Sequence, residues 1–265
     1  MFLSQVLLTL RWAIRDRLML AVLAVALLLL LLVPAFSLFS MRQVQELGIT
    51  LGLSAISLVL LVLVLLLGAS SIWRDVERRY TASVLTLPLS RTAYVLGKFV
   101  GIGLFLFICT LVLGLVVALV VKLTALQYPA ELPIAWGNIA AAIVGDFCKS
   151  ILLLAVALLF SSLSTSFFLP FFATLAIYFA GSASQEVMEY LSQPDLVQIS
   201  PLLQSLAKGF YYLIPNLAGF NLKIYAIYAL DLPLQGVGLS LAYFVSYTAV
   251  LLFLAVWIFN RRQLP

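Results

Sequence analysis

Histidine does not occur in this 265-residue sequence, which removes the commonest metal ligand and the commonest general base together. Cysteine is nearly as scarce. Cys109 and Cys148 both fall inside apolar runs, so neither a disulfide framework nor a metal site is expected. Charged residues make up only 9% of the chain, against roughly a quarter in a soluble domain. No Gly-x-x-x-x-Gly-Lys-Ser/Thr loop is present, so the chain cannot cradle nucleotide phosphates itself. Lys98 follows Gly97, but Phe99 comes next and the spacing is wrong. His-Glu-x-x-His, Gly-x-Ser-x-Gly and a carboxylate dyad are also missing, which argues against an intramembrane enzyme. What fills the sequence is apolar: 65% of residues are hydrophobic, more than a soluble fold of this length can hide. The bilayer must be the solvent for most of the chain. The same composition excludes disordered and fibrous classes.

A transmembrane helix needs about 20 apolar residues. Apolar runs place spans at residues 18–40, with Pro34 inside, and at 48–72, 99–121, 138–160, 166–185 and 238–259. Residues 150–185 are uncharged and too long for one crossing, and Ser161-Ser162-Leu163-Ser164-Thr165-Ser166 within them reads as a tight turn between the fourth span, which starts near Asn138, and the fifth. The expected fold is an all-α polytopic membrane protein with six transmembrane helices in a single domain, residues 1–265. No cleavable signal peptide is expected, because the first apolar run is too long for an h-region and no small-residue cleavage site follows it.

Six spans put both termini on one side. That side would carry Arg11, Arg15, Arg17, Arg74, Arg78, Arg79, Arg91, Lys98, Arg261 and Arg262 against Asp16, Asp75 and Glu77, a net +7. The other side would carry Arg42, Lys122, Lys208 and Lys223 against Glu46, Glu131, Glu186, Glu189, Asp195 and Asp231, a net −2. By the positive-inside rule both termini are expected in the cytoplasm of a multi-pass inner-membrane protein.

Residues 1–17 read as an interfacial helix. Phe2, Leu3, Val6, Leu7, Leu10, Ala13 and Ile14 share one side at helical spacing, and Ser4, Gln5, Thr9, Arg11, Arg15 and Asp16 the other, although Leu8 and Trp12 break the pattern. The plain alternative is an extension of the first span. Two loops are long enough to carry function: a cytoplasmic one at 73–94 and an external one at 186–236. The external loop holds Pro194, Pro201, Pro215 and Pro233 and an apolar piece at 210–214, which suggests short helices or re-entrant segments resting on the spans.

In the cytoplasmic loop, residues 81–87 can form a short helix that Pro88 would end. Ser90 is placed to cap the next helix through its hydroxyl. Glu77, Arg78 and Arg79 supply polar contacts near the start. On residue physics alone the loop could equally be a topology anchor.

The loop reads Asp75-Val76-Glu77-Arg78-Arg79-Tyr80-Thr81-Ala82-Ser83-Val84-Leu85-Thr86-Leu87-Pro88-Leu89-Ser90-Arg91, and continues to Leu96-Gly97-Lys98. This resembles the permease subunits of ABC-2-type exporters, in particular a branch that includes permeases linked to multi-copper enzyme maturation. Tyr212-Leu213-Ile214-Pro215-Asn216-Leu217-Ala218-Gly219-Phe220-Asn221 and Phe259-Asn260-Arg261-Arg262-Gln263-Leu264 match the same branch. Where many members of the family have Gly-Thr, this chain has Arg79-Tyr80. The resemblance spans the chain and implies a six-helix plan with an interfacial N-terminal helix, a coupling helix after the second span and a large element between the last two. It implies ATPase-coupling roles for Glu77, Arg78, Arg79, Val84, Leu85, Pro88, Ser90 and Arg91, and an external gate segment around Pro215 and Asn216.

Asp146 and Lys149 lie within the fourth span at i, i+3, where they share a helix face and can pair. An ionised residue near the bilayer centre costs roughly 2.5–3.5 kcal/mol on insertion scales. Lining a translocation route or a dimer seam, and simple packing as a self-neutralising pair, fit them equally. Val144-Gly145-Asp146 lacks the earlier glycine of a presenilin-like protease motif, and no second span offers an aspartate. Gly97 and Gly101, like Gly48 and Gly52, have the small-xxx-small spacing that lets helix backbones approach. Trp12, Trp73, Trp136 and Trp257 lie near the expected interfaces, as an aromatic belt requires.

The function expected is that of a transport permease, not an enzyme. It would bind no cofactor directly, with ATP and Mg held by a separate cytoplasmic ABC ATPase subunit. Its other partners would be a second permease copy or paralogue and membrane lipids, and no nucleic acid. Alternating access would be driven by the ATPase pair through the coupling helices. The alternatives are an ion-coupled carrier, for which only Asp146 is available, and a membrane assembly factor without an ATPase. Without histidine, and with Met1, Met19, Met41 and Met188 scattered, no copper path is visible. A lipid, a hydrophobic peptide or drug, and a protein-maturation factor fit equally as substrates.

Overall fold

The computed structural model describes residues 2–37, 44–77, 90–127, 133–191 and 201–262. Among them are nine α-helices: α1 (Phe2–Arg15), α2 (Arg17–Ser37), α3 (Val44–Glu77), α4 (Arg91–Gln127), α5 (Trp136–Leu163), α6 (Phe168–Leu191), α7 (Pro201–Leu213), α8 (Lys223–Ile227) and α9 (Leu234–Arg261). A single 3-10 turn, Ala218–Phe220, precedes α8. Among the described residues, which form no strand, five helices (α2, α3, α4, α5 and α9) are long and apolar enough to cross a membrane, so the chain is a helical multi-pass membrane protein. α6 has 24 residues and packs on α5 and α3, but Gly181-Ser182-Ala183-Ser184-Gln185 dilutes its apolar character.

The helices run longer than their apolar cores. α4 has 37 residues, about 55 Å at 1.5 Å per residue, against a hydrocarbon thickness of about 30 Å. The last turn of α3 and the first of α4 therefore reach into the stretch that reads as loop 73–94. One end of the bundle gathers Arg15, Arg74, Arg91 and Arg262 and is called the terminal end below.

α5 is the hub. It packs against α3, α4, α6, α8 and α9, and every residue from Ser150 to Leu158 is buried. A helix apolar all round belongs in such a position. α2 and α9 lie at the margin. α2 turns Met19, Ala26, Leu30 and Val33 inward and leaves Leu18, Val25, Leu28 and Leu31 exposed. Pro34 lies within α2 near its end without stopping the helix.

α1 is a separate helix, divided from α2 at Asp16, whose Oδ1 accepts the Leu18 N–H at 2.9 Å and so caps α2. Its side toward the protein is made of small and polar residues. Gln5, Val6, Thr9 and Ala13 are buried against α4, while Leu3, Leu7, Leu8 and Ile14 stay exposed. Gly97 and Gly101 explain the choice. A Cβ at Gly101 would lie 2.7 Å from Thr9 Cβ and 2.9 Å from the Val6 carbonyl oxygen, so the two backbones touch there. Short polar side chains fit such a contact, and Thr9 settles its hydroxyl on the Gln5 carbonyl at 2.9 Å.

Candidate functional site

Two regions hold the residues singled out in the sequence. The first is the terminal end. Ser90 caps α4 as its position suggested, with its Oγ accepting the Ala93 N–H at 3.2 Å. Arg91 turns to α9, donating to the carbonyls of Asn260 and Arg262 at 2.9 Å each and reaching that of Phe259 at 3.5 Å. The Asn260 and Arg262 carbonyls are of the kind that a helix C-terminus leaves without helical partners, and the helix end carries the negative dipole pole. Tyr94, one turn on, stacks on Phe259 with ring centroids 5.4 Å apart. Arg262 donates to the Ser162 carbonyl at 3.1 Å, which ties α9 to the end of α5, and burial pushes its guanidinium below its ordinary pKa.

The same end joins α3 to α4 and to the α1–α2 corner. Asp75 accepts from Lys98 Nζ at 2.6 Å and from the Tyr94 hydroxyl at 2.6 Å. Lys98 is buried and also donates to the Ser71 carbonyl. Arg74 pairs with Asp16 at 3.1 Å and lies over the Trp12 ring. Glu77 closes α3. Arg78, Arg79, Val84, Leu85 and Pro88, and the short helix expected at 81–87, lie outside the described residues.

The second region is a buried charge cluster. Asp146, on α5, is 4% exposed. The expected pair with Lys149 does not form. Asp146 Oδ2 instead faces Lys223 Nζ at 3.8 Å, a residue of α8 that the sequence reading assigned to the external loop. Lys223 Nζ donates at 2.6 Å to Ser57 Oγ of α3. Lys149 turns the other way and sets its ammonium 4.6 Å from the centre of the Tyr178 ring on α6. Asp146 Oδ2 has no hydrogen-bond partner among the described residues. A void of about 10 Å³ lies beside it, lined by Ser57, Leu61, Asp146, Lys149, Ser150, Leu153 and Tyr178. That is room for about one water with polar partners on several sides. One carboxylate, two ammonium groups and three hydroxyl-bearing side chains thus meet where α3, α5, α6 and α8 come together.

Lys223 arrives there because residues 214–233 are let into the bundle. Glycines admit the backbone. A Cβ at Gly145 of α5 would come within 2.4 Å of the Phe220 carbonyl oxygen, and one at Gly181 of α6 within 2.4 Å of the Pro215 carbonyl oxygen. Gly181 O accepts the Leu217 N–H at 3.0 Å. Gly145 is nine residues into α5, about 13 Å from its start. Asn138 Nδ2 holds the returning chain through the carbonyls of Tyr225 and Leu230, at 2.9 and 2.7 Å. Between them Ala229 takes φ 51°, the left-handed region that a non-glycine residue rarely enters.

Pro215 and Asn216 open this segment. The Asn216 N–H donates to the Tyr243 hydroxyl at 3.1 Å, and Asn216 Oδ1 accepts the Ala218 N–H at 3.0 Å. Both residues are thereby fixed between α6 and α9, where Asn216 lines an open groove of about 480 Å³ walled by Tyr211, Tyr212, Tyr243 and Tyr247. Among the described residues no three His, Cys, Asp or Glu side chains gather in a way that could hold a metal.

Sequence reasoning missed Lys223, Ser57, Tyr178 and Asn138 as site residues. Lys223 had a signal: it is flanked by Leu222, Ile224, Ala226 and Ile227, unusual company for an exposed loop lysine. The others had none. No family model matches this sequence, and no curated protein matches it.

Proposed function

We propose that the chain is the membrane-spanning permease of an ATP-driven exporter of the ABC-2 type, with six spans, α6 being the fifth, and both termini in the cytoplasm of the inner membrane. A separate cytoplasmic ATPase docks on the connection between α3 and α4, and a second permease copy or paralogue completes the route. The observation that carries this reading is the Arg91 tie. The residue that ends the coupling segment is bonded to the end of α9, which is itself bonded through Arg262 to α5. A push delivered at residues 78–90 is therefore received by several helices together, as a coupling element requires. The basic bias of the terminal end and the likeness of residues 75–98 to ABC-2 permeases support it further.

The test is co-expression with a candidate ABC ATPase subunit from the same genome, purification in nanodiscs and measurement of ATP hydrolysis. The ATPase is expected to co-purify, and Glu77→Ala and Arg79→Ala to lose binding or hydrolysis. A folded chain that binds no ATPase, with both variants behaving as wild type, overturns the reading.

A further inference from the structure

Lys223 is the one cation in the buried cluster that does not belong to a long helix. It sits at the first position of five-residue α8, on a segment seated by backbone contacts at Gly145 and Gly181, by the Asn138 amide and by the buried side chains of Leu217, Phe220 and Ala226. Its ammonium neutralises Asp146 without a direct hydrogen bond, at 3.8 Å, while donating to Ser57. Lys149 stands one helical turn from Asp146 on the same helix, close enough in register to pair, yet its charge rests on the Tyr178 ring. The carboxylate thus has two cations available and uses the one on the inserted segment. Asp146 and Lys149 both line the same water-sized void, together with Ser57 and Tyr178.

We propose that Lys223 is a gate-holding residue and that Asp146 is a two-position carboxylate. With residues 214–233 seated, Asp146 pairs with Lys223. When the segment lifts, Lys223 leaves with it and Lys149 swings from Tyr178 across the void to take its place. A carboxylate stranded alone inside the bundle would oppose any such movement strongly, because a buried charge without a partner is far costlier than a paired one. The second lysine removes that obstacle and makes seated and lifted states comparable in electrostatic terms. This inference rests on the exporter reading for its purpose, the external gate of a transport cycle. The exchange itself needs no ATPase.

The test reads the segment directly. Ala226 on α8 is 1% exposed, so Ala226→Cys, in a chain carrying Cys109→Ala and Cys148→Ala, reports lifting through its rate of reaction with a membrane-impermeant maleimide. In nanodiscs without ATPase, Lys223→Gln and Asp146→Asn are expected to raise that rate about tenfold or more. Lys149→Gln removes the competing partner and is expected to lower the rate below that of the parent. Lys223→Arg should stay near the parent. The exchange Asp146→Lys with Lys223→Asp should label slowly, because the segment then carries the carboxylate to two lysines on α5. The proposal is overturned if Lys223→Gln labels at the parent rate, if Lys149→Gln labels as fast as Lys223→Gln, or if the charge exchange labels as fast as either single loss. Size-exclusion behaviour checks folding of each variant, and the charge exchange decides the matter should a single variant misfold. Failure here would leave ATPase binding untouched, and failure to bind an ATPase would leave these rates untouched, so the two readings fall separately.

Discussion

The Arg91 guanidinium lies 2.9 Å from the carbonyl oxygen of Arg262, joining positions 171 residues apart in the chain. Arg91→Ala should free the last turn of α9. A hydrogen bond to a charged group contributes about 1.5–3 kcal/mol, and partial exposure places this loss toward about 1–2. Hydrogen exchange at residues 259–262 should quicken and the melting temperature in detergent should fall. Arg91→Lys should recover part of the loss, because one nitrogen, Nη1, reaches all these carbonyls and an ammonium on a shorter side chain can take only part of that place. Unchanged exchange in Arg91→Ala would refute the tie.

Gly145→Ala and Gly181→Ala should each displace the inserted segment. The added Cβ meets a backbone carbonyl oxygen at 2.4 Å in both cases, and backbone cannot rotate aside as a side chain can. Overpacking of this kind costs about 1–3 kcal/mol. Gly238→Ala is the control, since nothing lies within 4 Å of its added carbon. It should be neutral or stabilise α9 by up to about 1 kcal/mol through helix propensity. Thermal unfolding of the three variants side by side decides the point, and equal behaviour would contradict it.

Gly101→Ala should loosen α1 from α4 through its clash with Thr9 and the Val6 carbonyl. The readout is tryptic cleavage after Arg11 or Arg15 in nanodiscs, expected to speed up several-fold while the rest of the bundle stays resistant. Resistance equal to wild type would mean that α1 is held by something other than this contact.

Lys98→Met should destabilise the terminal end by about 1–3 kcal/mol, since it withdraws a charge from Asp75 in a partly buried setting. Adding Asp75→Asn should cost less than the sum of the two single losses, because the pair acts as a unit. A double-variant cycle in chemical or thermal unfolding measures the coupling. Strict additivity would show that Lys98 acts through the Ser71 carbonyl alone.

The sequence made some of this architecture legible and hid the rest for physical reasons. Long apolar runs announce helices in lipid because the backbone there must satisfy itself. Ser90 was readable because capping depends on residues three positions apart. Gly97 and Gly101 were readable as a close-approach pattern, but which helix approaches them was not. The partner of Asp146 could not be read. Local spacing offered Lys149, whereas the structure chose Lys223 of α8, 77 residues away, whose apolar neighbours set it apart but whose stretch between Pro215 and Pro233 is too short to read as a span. Which side of α1 packs on α4 was hidden for a related reason, because contact with a glycine pair selects for small size before it selects for hydrophobicity.

The contact between α1 and Gly101 also sets a mechanical ratio. Gly101 stands ten residues from the start of α4 and twenty-six from its end, about 15 Å and about 39 Å along the axis. A rod pivoting at that point would be a lever with unequal arms. A tilt that shifts its Arg91 end by one ångström would carry its Gln127 end roughly two and a half times as far in the opposite direction.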